Sequence, residues 1–398
     1  MELPVGQGVW PLDVPPAKAV PLRRAAIPSV PTAGGRELVR AALERPHGFE
    51  PLRRALTPDD RVTVVLDPEL PEAAELLAGV LDHLRSAGVG PAAVTVVTPP
   101  DGRQDWIDEL PDEYADVTAE THHPADRARL AYLATTRAGR RVYLNRSLVE
   151  ADFCVLLTGR GYDPVTGYAG AEAAVFPGLA DEELRAAAAA GVTGQAPTDT
   201  PAEAHEIAWL LGTPFLVQVI EGAGGTVQEV VAGLLDSGAE GVRRQDARWR
   251  GTVADEPDLV IATVSGDPGR VTFLDLAKAA ACGARVVKKG GRVAVLTDAA
   301  PALGEGADLL RRMDGPQGAY KRLAAARPAD WAAAHLWAYA AKRASLVLAS
   351  GYGDDVAEEL WATPIARPSE LQRLVAAAES VLVVPDAHRS MVTAERPA

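Results

Sequence analysis

The sequence predicts an α/β protein of two domains, each built on a mostly parallel sheet covered by helices, with a ligand cleft between the domains. Two features carry that prediction. The strand candidates are apolar throughout and rich in β-branched residues, as in RVTVVLD (Arg61–Asp67) and DFCVLLT (Asp152–Thr158); a strand with one wet face would alternate with period two. Helix-length segments separate these runs, as parallel pairing requires, because the chain must cross back over the sheet before each new strand.

Taken in order, residues 1 to about 35 are proline-rich and lack periodicity, and read as an extended arm lying over a domain surface. The first domain, 36–250, has strands at Arg61–Asp67, Ala93–Thr98, Asp152–Thr158 and Pro214–Ile220. Its clearest helices are Glu72–Ala87 and Asp181–Ala190, the second marked by an alanine run behind a leading Asp-Glu-Glu. A polar, turn-rich stretch near 245–256 (QDARWRGTVADEPD) marks the junction. The second domain, 251–398, repeats the alternation, with strands Asp258–Val264, Arg292–Asp298, Ser345–Ser350 and Ser380–Val384. Helices are expected near 271–283, 303–313, 328–343, 354–362 and 368–379. In open α/β sheets ligands bind beyond the carboxyl ends of the strands, which points the site to the crevice between domains.

Composition narrows the class. A length of 398 residues, 47% hydrophobic and 24% charged, suits two folded domains. A formal net charge of −14 repels a phosphate backbone, so nucleic acid is not an expected partner; Arg243-Arg244 and Arg311-Arg312 read as solvated helix faces. The two cysteines, Cys154 and Cys282, sit in apolar runs and read as buried thiols of a reducing compartment. The first residues lack a basic segment followed by an apolar core, and no apolar run reaches the ~20 residues of a membrane span. A cytoplasmic protein with a small-molecule ligand is the expectation.

Several chemical motifs are absent. Gly159-Arg160-Gly161 follows a strand, but Pro164 stands where a dinucleotide loop needs its third glycine, so a turn is expected. The seven histidines form no i, i+4 pair, and the adjacent His122 and His123 would point apart on a strand and read as a turn. No G-x-S-x-G elbow occurs. Acid–base chemistry has better candidates: Asp67 at a strand end, Asp101 after Pro99-Pro100, Asp163 in a loop, and Lys278 on the helix after Asp258–Val264. Strand-end aspartates also serve as caps and turn formers. Trp337 and Tyr339 read as core; Trp331, at its helix start, is placed over the cleft as a substrate-binding ring.

These residues resemble the nickel-pincer lactate racemase family. The resemblance covers nearly the whole chain after residue 35. Ala42–Pro71 resembles the family's N-terminal region, with Asp67 and Pro71 matching an Asp-x-x-Arg-Pro ending and Leu70 in the arginine's place. Further matches are Val142–Gly159, the frame GYAGAEAAVFPGLA (Gly167–Ala180), Lys278 with Lys288-Lys289-Gly290-Gly291, Gly304-Glu305-Gly306, and SVLVVPDA (Ser380–Ala387). The resemblance implies a protein that inverts the stereocentre of small 2-hydroxy acids. It would do so with a nickel-pincer nucleotide tethered to a lysine, a nickel-ligating histidine and two acid–base histidines. Carried across, the lysine position is Ala173 and the nickel-ligand position is Ala189. The acid–base positions are Asp101 and either Asp163 or Tyr162, and the second domain's substrate-binding pair becomes Asp275 and Leu274; only Lys278 persists. The expectation is therefore no cofactor, or the pincer held only noncovalently. Two functional readings stay open. One is a divergent enzyme using Asp67, Asp101, Asp163 and Lys278, its acidic pocket suited to a cationic or polyhydroxylated substrate or to Mg²⁺. The other is a non-catalytic paralogue that binds a ligand or a protein.

Overall fold

The computed structural model describes residues 1–25, 33–100, 102–163, 167–190 and 200–395, with the side chains of 189, 190 and 200 excepted. Asp101 lies outside the described residues, as does the Ala189 side chain. The chain forms two compact units. The N-terminal unit is Pro28–Gly222 with Thr226–Gln245; the C-terminal unit is Asp246–Ala398 with Met1–Ile27 and Ala223–Gly225.

The N-terminal unit is built on a six-stranded sheet in the order Val227–Gly233, Phe215–Glu221, Phe153–Arg160, Val62–Leu66, Val94–Thr98, Thr118–Thr121. The first pair is antiparallel and every other pair is parallel. Successive residues of a strand face opposite ways, and the sequence supplies apolar side chains to both faces. Val62, Val64 and Leu66 pack with Leu76, Leu77 and Leu84 of helix Ala73–Ser86. Val65, Val97 and Leu156 pack on the other side with Val175, Phe176, Leu184 and Ile207.

The C-terminal unit has a five-stranded, all-parallel sheet, ordered Ala362–Pro364, Ser345–Ala349, Arg292–Leu296, Leu259–Thr263, Val381–Val384. One face is covered by helices Phe273–Val286 and Trp331–Arg343, with Trp337 fully buried among them. The second face shows what the N-terminal segment does. Strands Glu2–Val5 and Gly8–Pro11 pair as a hairpin, and Leu3, Val5 and Leu12 are buried with Leu259, Ile261, Leu296 and Leu371. The stretch read as a surface arm is thus part of this core, and helix Pro368–Ala377 completes the layer.

Three further elements differ from the sequence reading. The stretch near 245–256, read as a polar junction, holds the end of helix Ser237–Trp249 and strand Arg250–Val253. That strand pairs with Met391–Ala394 and with Arg23–Arg24. Gly159-Arg160 is no turn; the strand runs through Arg160. His122, read as half of a turn pair, lies outside the turn and is fully buried, its Nε2 2.9 Å from the Ala180 carbonyl. Among the described residues no helix is long and apolar enough to cross a membrane.

Candidate functional site

Each sheet has one place where strand order reverses, and there the connections leave in opposite directions and open a crevice. In the N-terminal unit it lies between Val62–Leu66 and Phe153–Arg160. Asp67 ends the first strand and reaches across it. Its Oδ2 accepts from the Gly159 amide (3.3 Å) and its Oδ1 from the Glu69 amide (3.1 Å). Leu70, at the arginine position of the motif, is buried at 1% exposure and packs beside Gly159.

Beyond Gly159 the chain carries Arg160, only 6% exposed. A buried guanidinium has to be met on every donor. Its Nε donates to Gln218 Oε1 (2.7 Å), Nη1 to the Ala169 carbonyl (3.2 Å) and Nη2 to the Gly238 carbonyl (3.3 Å). Glu172 Oε2 lies 3.6 Å away and supplies the countercharge. Burial pulls the Arg160 pKa below its ordinary value, and Glu172 opposes that pull. Gln218 is itself fully buried, and its Nε2 donates to the Ser237 carbonyl (2.9 Å) at the start of helix Ser237–Trp249. That helix sits close: a methyl at Gly241 would lie 2.0 Å from Gln218 Oε1.

The loop back from the short hairpin Tyr162–Asp163/Gly167–Tyr168 turns at Gly170, where φ is +73°. A methyl there would sit 2.2 Å from the Gly159 carbonyl oxygen, so only glycine fits. The Ala171 amide then donates to Thr158 Oγ1 (2.8 Å), and helix Glu172–Val175 begins. This geometry holds Ala173 half-buried on the wall of a cavity of about 240 Å³. Arg160, Tyr168, Glu172, His205, Gly238 and Val242 line it too. His205, from helix Thr200–Leu210, places Nδ1 3.5 Å from Glu172 Oε1. The cavity therefore offers a buried cation, a carboxylate and an imidazole. It offers no amine: the sequence has no lysine from residue 28 to 245. Among the described residues no group of three or more His, Cys, Asp or Glu side chains is arranged to hold a metal ion.

The C-terminal unit reverses its strand order between Leu259–Thr263 and Val381–Val384. Asp386, in the left-handed region (φ +47°) and 1% exposed, accepts from Ser265 Oγ (2.6 Å), the Ser265 amide (3.2 Å) and the Gly224 amide (3.2 Å). His388 follows, 8% exposed, with Nε2 against Arg389 and a buried Nδ1 that has no hydrogen-bond partner. Burial pushes its pKa down, and so does the Arg389 guanidinium, against the pull of Asp275 and Asp386. Lys278 faces this group from helix Phe273–Val286. It is half-buried, with no hydrogen bond or ion pair among the described residues.

The sequence candidates fare unevenly. Lys278 and Asp275 come together with His388, which sequence reading missed. Asp275, however, is the N3 residue of a capping box: Oδ2 accepts from the Thr272 amide (2.9 Å) and Thr272 Oγ1 (2.7 Å). Burial works against its ionisation, but His388, Lys278 and those hydrogen bonds carry its pKa below the usual carboxylate range. Asp163 lies in the short hairpin, opposite Gly167. Trp331 stacks on His335 (4.6 Å), whose other neighbour is Tyr320 (4.5 Å), so its ring belongs to an aromatic ladder. Arg160, Glu172, Gln218 and His205 were also missed, although a glutamine inside the apolar strand FLVQVIE was a usable signal. Both cysteines are free and buried, and desolvation pushes the Cys154 thiol up to about 12, where it is inert.

Comparison with known proteins places this arrangement. Residues 5–190 match the family model of the lactate racemase N-terminal domain. No curated protein matches the sequence. Among solved structures, the lactate racemase apoprotein from Thermoanaerobacterium thermosaccharolyticum superposes with a TM-score of 0.80 at 17% identity, covering 98% of this chain and 99% of that one. A structural-genomics crystal structure of a Thermotoga maritima protein gives a TM-score of 0.65 at 12% identity, over 90% of this chain and 98% of that one. Residues 5–190 thus match the lactate racemase N-terminal domain, and the chain as a whole shares the fold of the lactate racemase apoprotein.

Proposed function

We propose that this chain is a divergent lactate racemase-like protein that binds or transforms a small polar metabolite in the Ala173 cavity without a tethered nickel-pincer cofactor. One observation carries the reading: at the lysine position of the frame a methyl group lines a cavity of about 240 Å³, with Arg160, Glu172 and His205 around it. A thioamide tether needs an amine, and the whole stretch 28–245 lacks one. The residues present do not fit a lysine-tethered nickel group.

What the cavity's own groups offer is proton transfer and polar recognition. His205 brings an imidazole to the cavity, and Glu172, with Oε1 3.5 Å from its Nδ1, orients the ring. Arg160 pairs with Glu172, and each of its three nitrogens already bonds a protein acceptor, so it sets the shape and charge of the wall. The cavity volume matches a molecule at the small end of the metabolite range.

A non-catalytic paralogue is the second reading. It is favoured by how the aspartates are engaged: Asp67 bonds backbone amides and Asp275 caps its helix. A thermal-shift screen of hydroxy acids, sugar acids, amines and divalent metals tests the proposal, because a ligand of the native state raises the melting temperature. The expected result is a saturable shift for one small polar class, abolished by Ala173→Trp, which fills the cavity. No shift from any class, or a shift that Ala173→Trp leaves intact, contradicts it. Ligand turnover that His205→Gln abolishes while binding persists selects the enzyme; binding without turnover selects the paralogue.

A further inference from the structure

A second cavity, of about 480 Å³, opens on the C-terminal unit between helix Glu305–Arg311 and helix Ala319–Ala326. Glu305, Asp308, Leu309 and Arg312 line it from one side, and Arg322, Ala326 and Pro328 from the other. The two arginines stand out. Neighbouring Arg311 is committed to Asp308 (3.0 Å) and Glu359 (2.6 Å), whereas Arg312 and Arg322 have no hydrogen bond or ion pair among the described residues.

From this geometry we infer that the groove binds a small organic oxyanion, its carboxylate or phosphate gripped by Arg312 and Arg322 and its carbon stem lying on Leu309, Ala326 and Pro328. Two guanidiniums on one cavity repel each other unless an anion comes between them. Each presents a planar fork that matches carboxylate or phosphate oxygens in pairs. The chain as a whole carries a net charge of −14, so an anion is held only where cations are gathered locally. Asp308 is neutralised by Arg311, which leaves Glu305 as the one carboxylate of the lining without an ion pair among the described residues; it is placed to accept hydroxyl hydrogen bonds. The volume lies within the range of metabolite and cofactor sites.

Calorimetric titration of the full chain with citrate, glucose 6-phosphate and inorganic phosphate tests the inference. Citrate and glucose 6-phosphate separate the carboxylate source from the phosphate source; phosphate alone reports what the bare anion contributes. Saturable binding of at least one organic anion is expected, weakening with added salt and falling about tenfold or more in Arg312→Gln/Arg322→Gln. Both positions are exposed, so the variant's melting curve should match the parent's. Binding should persist in Ala173→Trp, which separates this groove from the other cavity. No saturable binding to any of the three, or binding unchanged in the double variant, overturns the inference.

Discussion

The two switch points of this protein hold similar residue types in opposite states. In the N-terminal unit Arg160 is buried and every part of its guanidinium is occupied: by Gln218, by two carbonyls and by Glu172. In the C-terminal unit Lys278 is half-buried and bonded to nothing described, beside a histidine whose Nδ1 is an orphan. A saturated cation is architecture, since removing it strands its partners. Removing one that makes no hydrogen bond leaves no hydrogen bond unmade. The contrast separates residues that shape a site from residues able to meet a ligand.

Substitutions can break that comparison, starting where the scaffold is least forgiving. Gly170→Ala forces a side chain onto a carbonyl in left-handed backbone and is expected to cost more than about 4 kcal/mol in denaturant unfolding. Arg160→Met leaves Glu172 and Gln218 without their partner and is expected to cost about 3 kcal/mol in the same assay. Next comes pH. Burial depresses the pKa of His83, His122, His335 and His388, so below about 6.5 the unfolded chain binds more protons than the folded one. Stability should be complete above that pH and decline as pH falls toward the depressed values, read as a falling melting temperature; His388→Gln should reduce the slope. The smallest effect belongs to Lys278→Met, within about 0.5 kcal/mol of the parent. A large loss there would erase the contrast between the two sites.

Much of the fold was legible because buried parallel strands announce themselves: VTVVL is buried throughout, and RVAVL is exposed only at its first residue, Arg292. Elements whose stability is tertiary were not. Helix Ser237–Trp249 is rich in charged and polar residues, and strand Arg250–Val253 exists because Met391–Ala394 lies alongside it. The N-terminal hairpin was misread because its buried residues, Leu3, Val5 and Leu12, are sparse among prolines, and their burial comes from a sheet more than two hundred residues away. The site followed the same rule. The Gly167–Ala180 frame located Ala173 because backbone geometry at Gly170 leaves a signature in sequence. Arg160 and Gln218 meet across 58 positions, a pairing that spacing does not announce, although the glutamine inside FLVQVIE marks one partner. Nor does spacing tell a capping aspartate such as Asp275 from a ligand-binding one.

The central claim is that the Ala173 wall carries no tethered pincer group. Its most direct test is the intact mass of the protein after co-expression with the enzymes that make the pincer. The account predicts the mass of the unmodified polypeptide under denaturing conditions; a covalent increment matching the cofactor would contradict it.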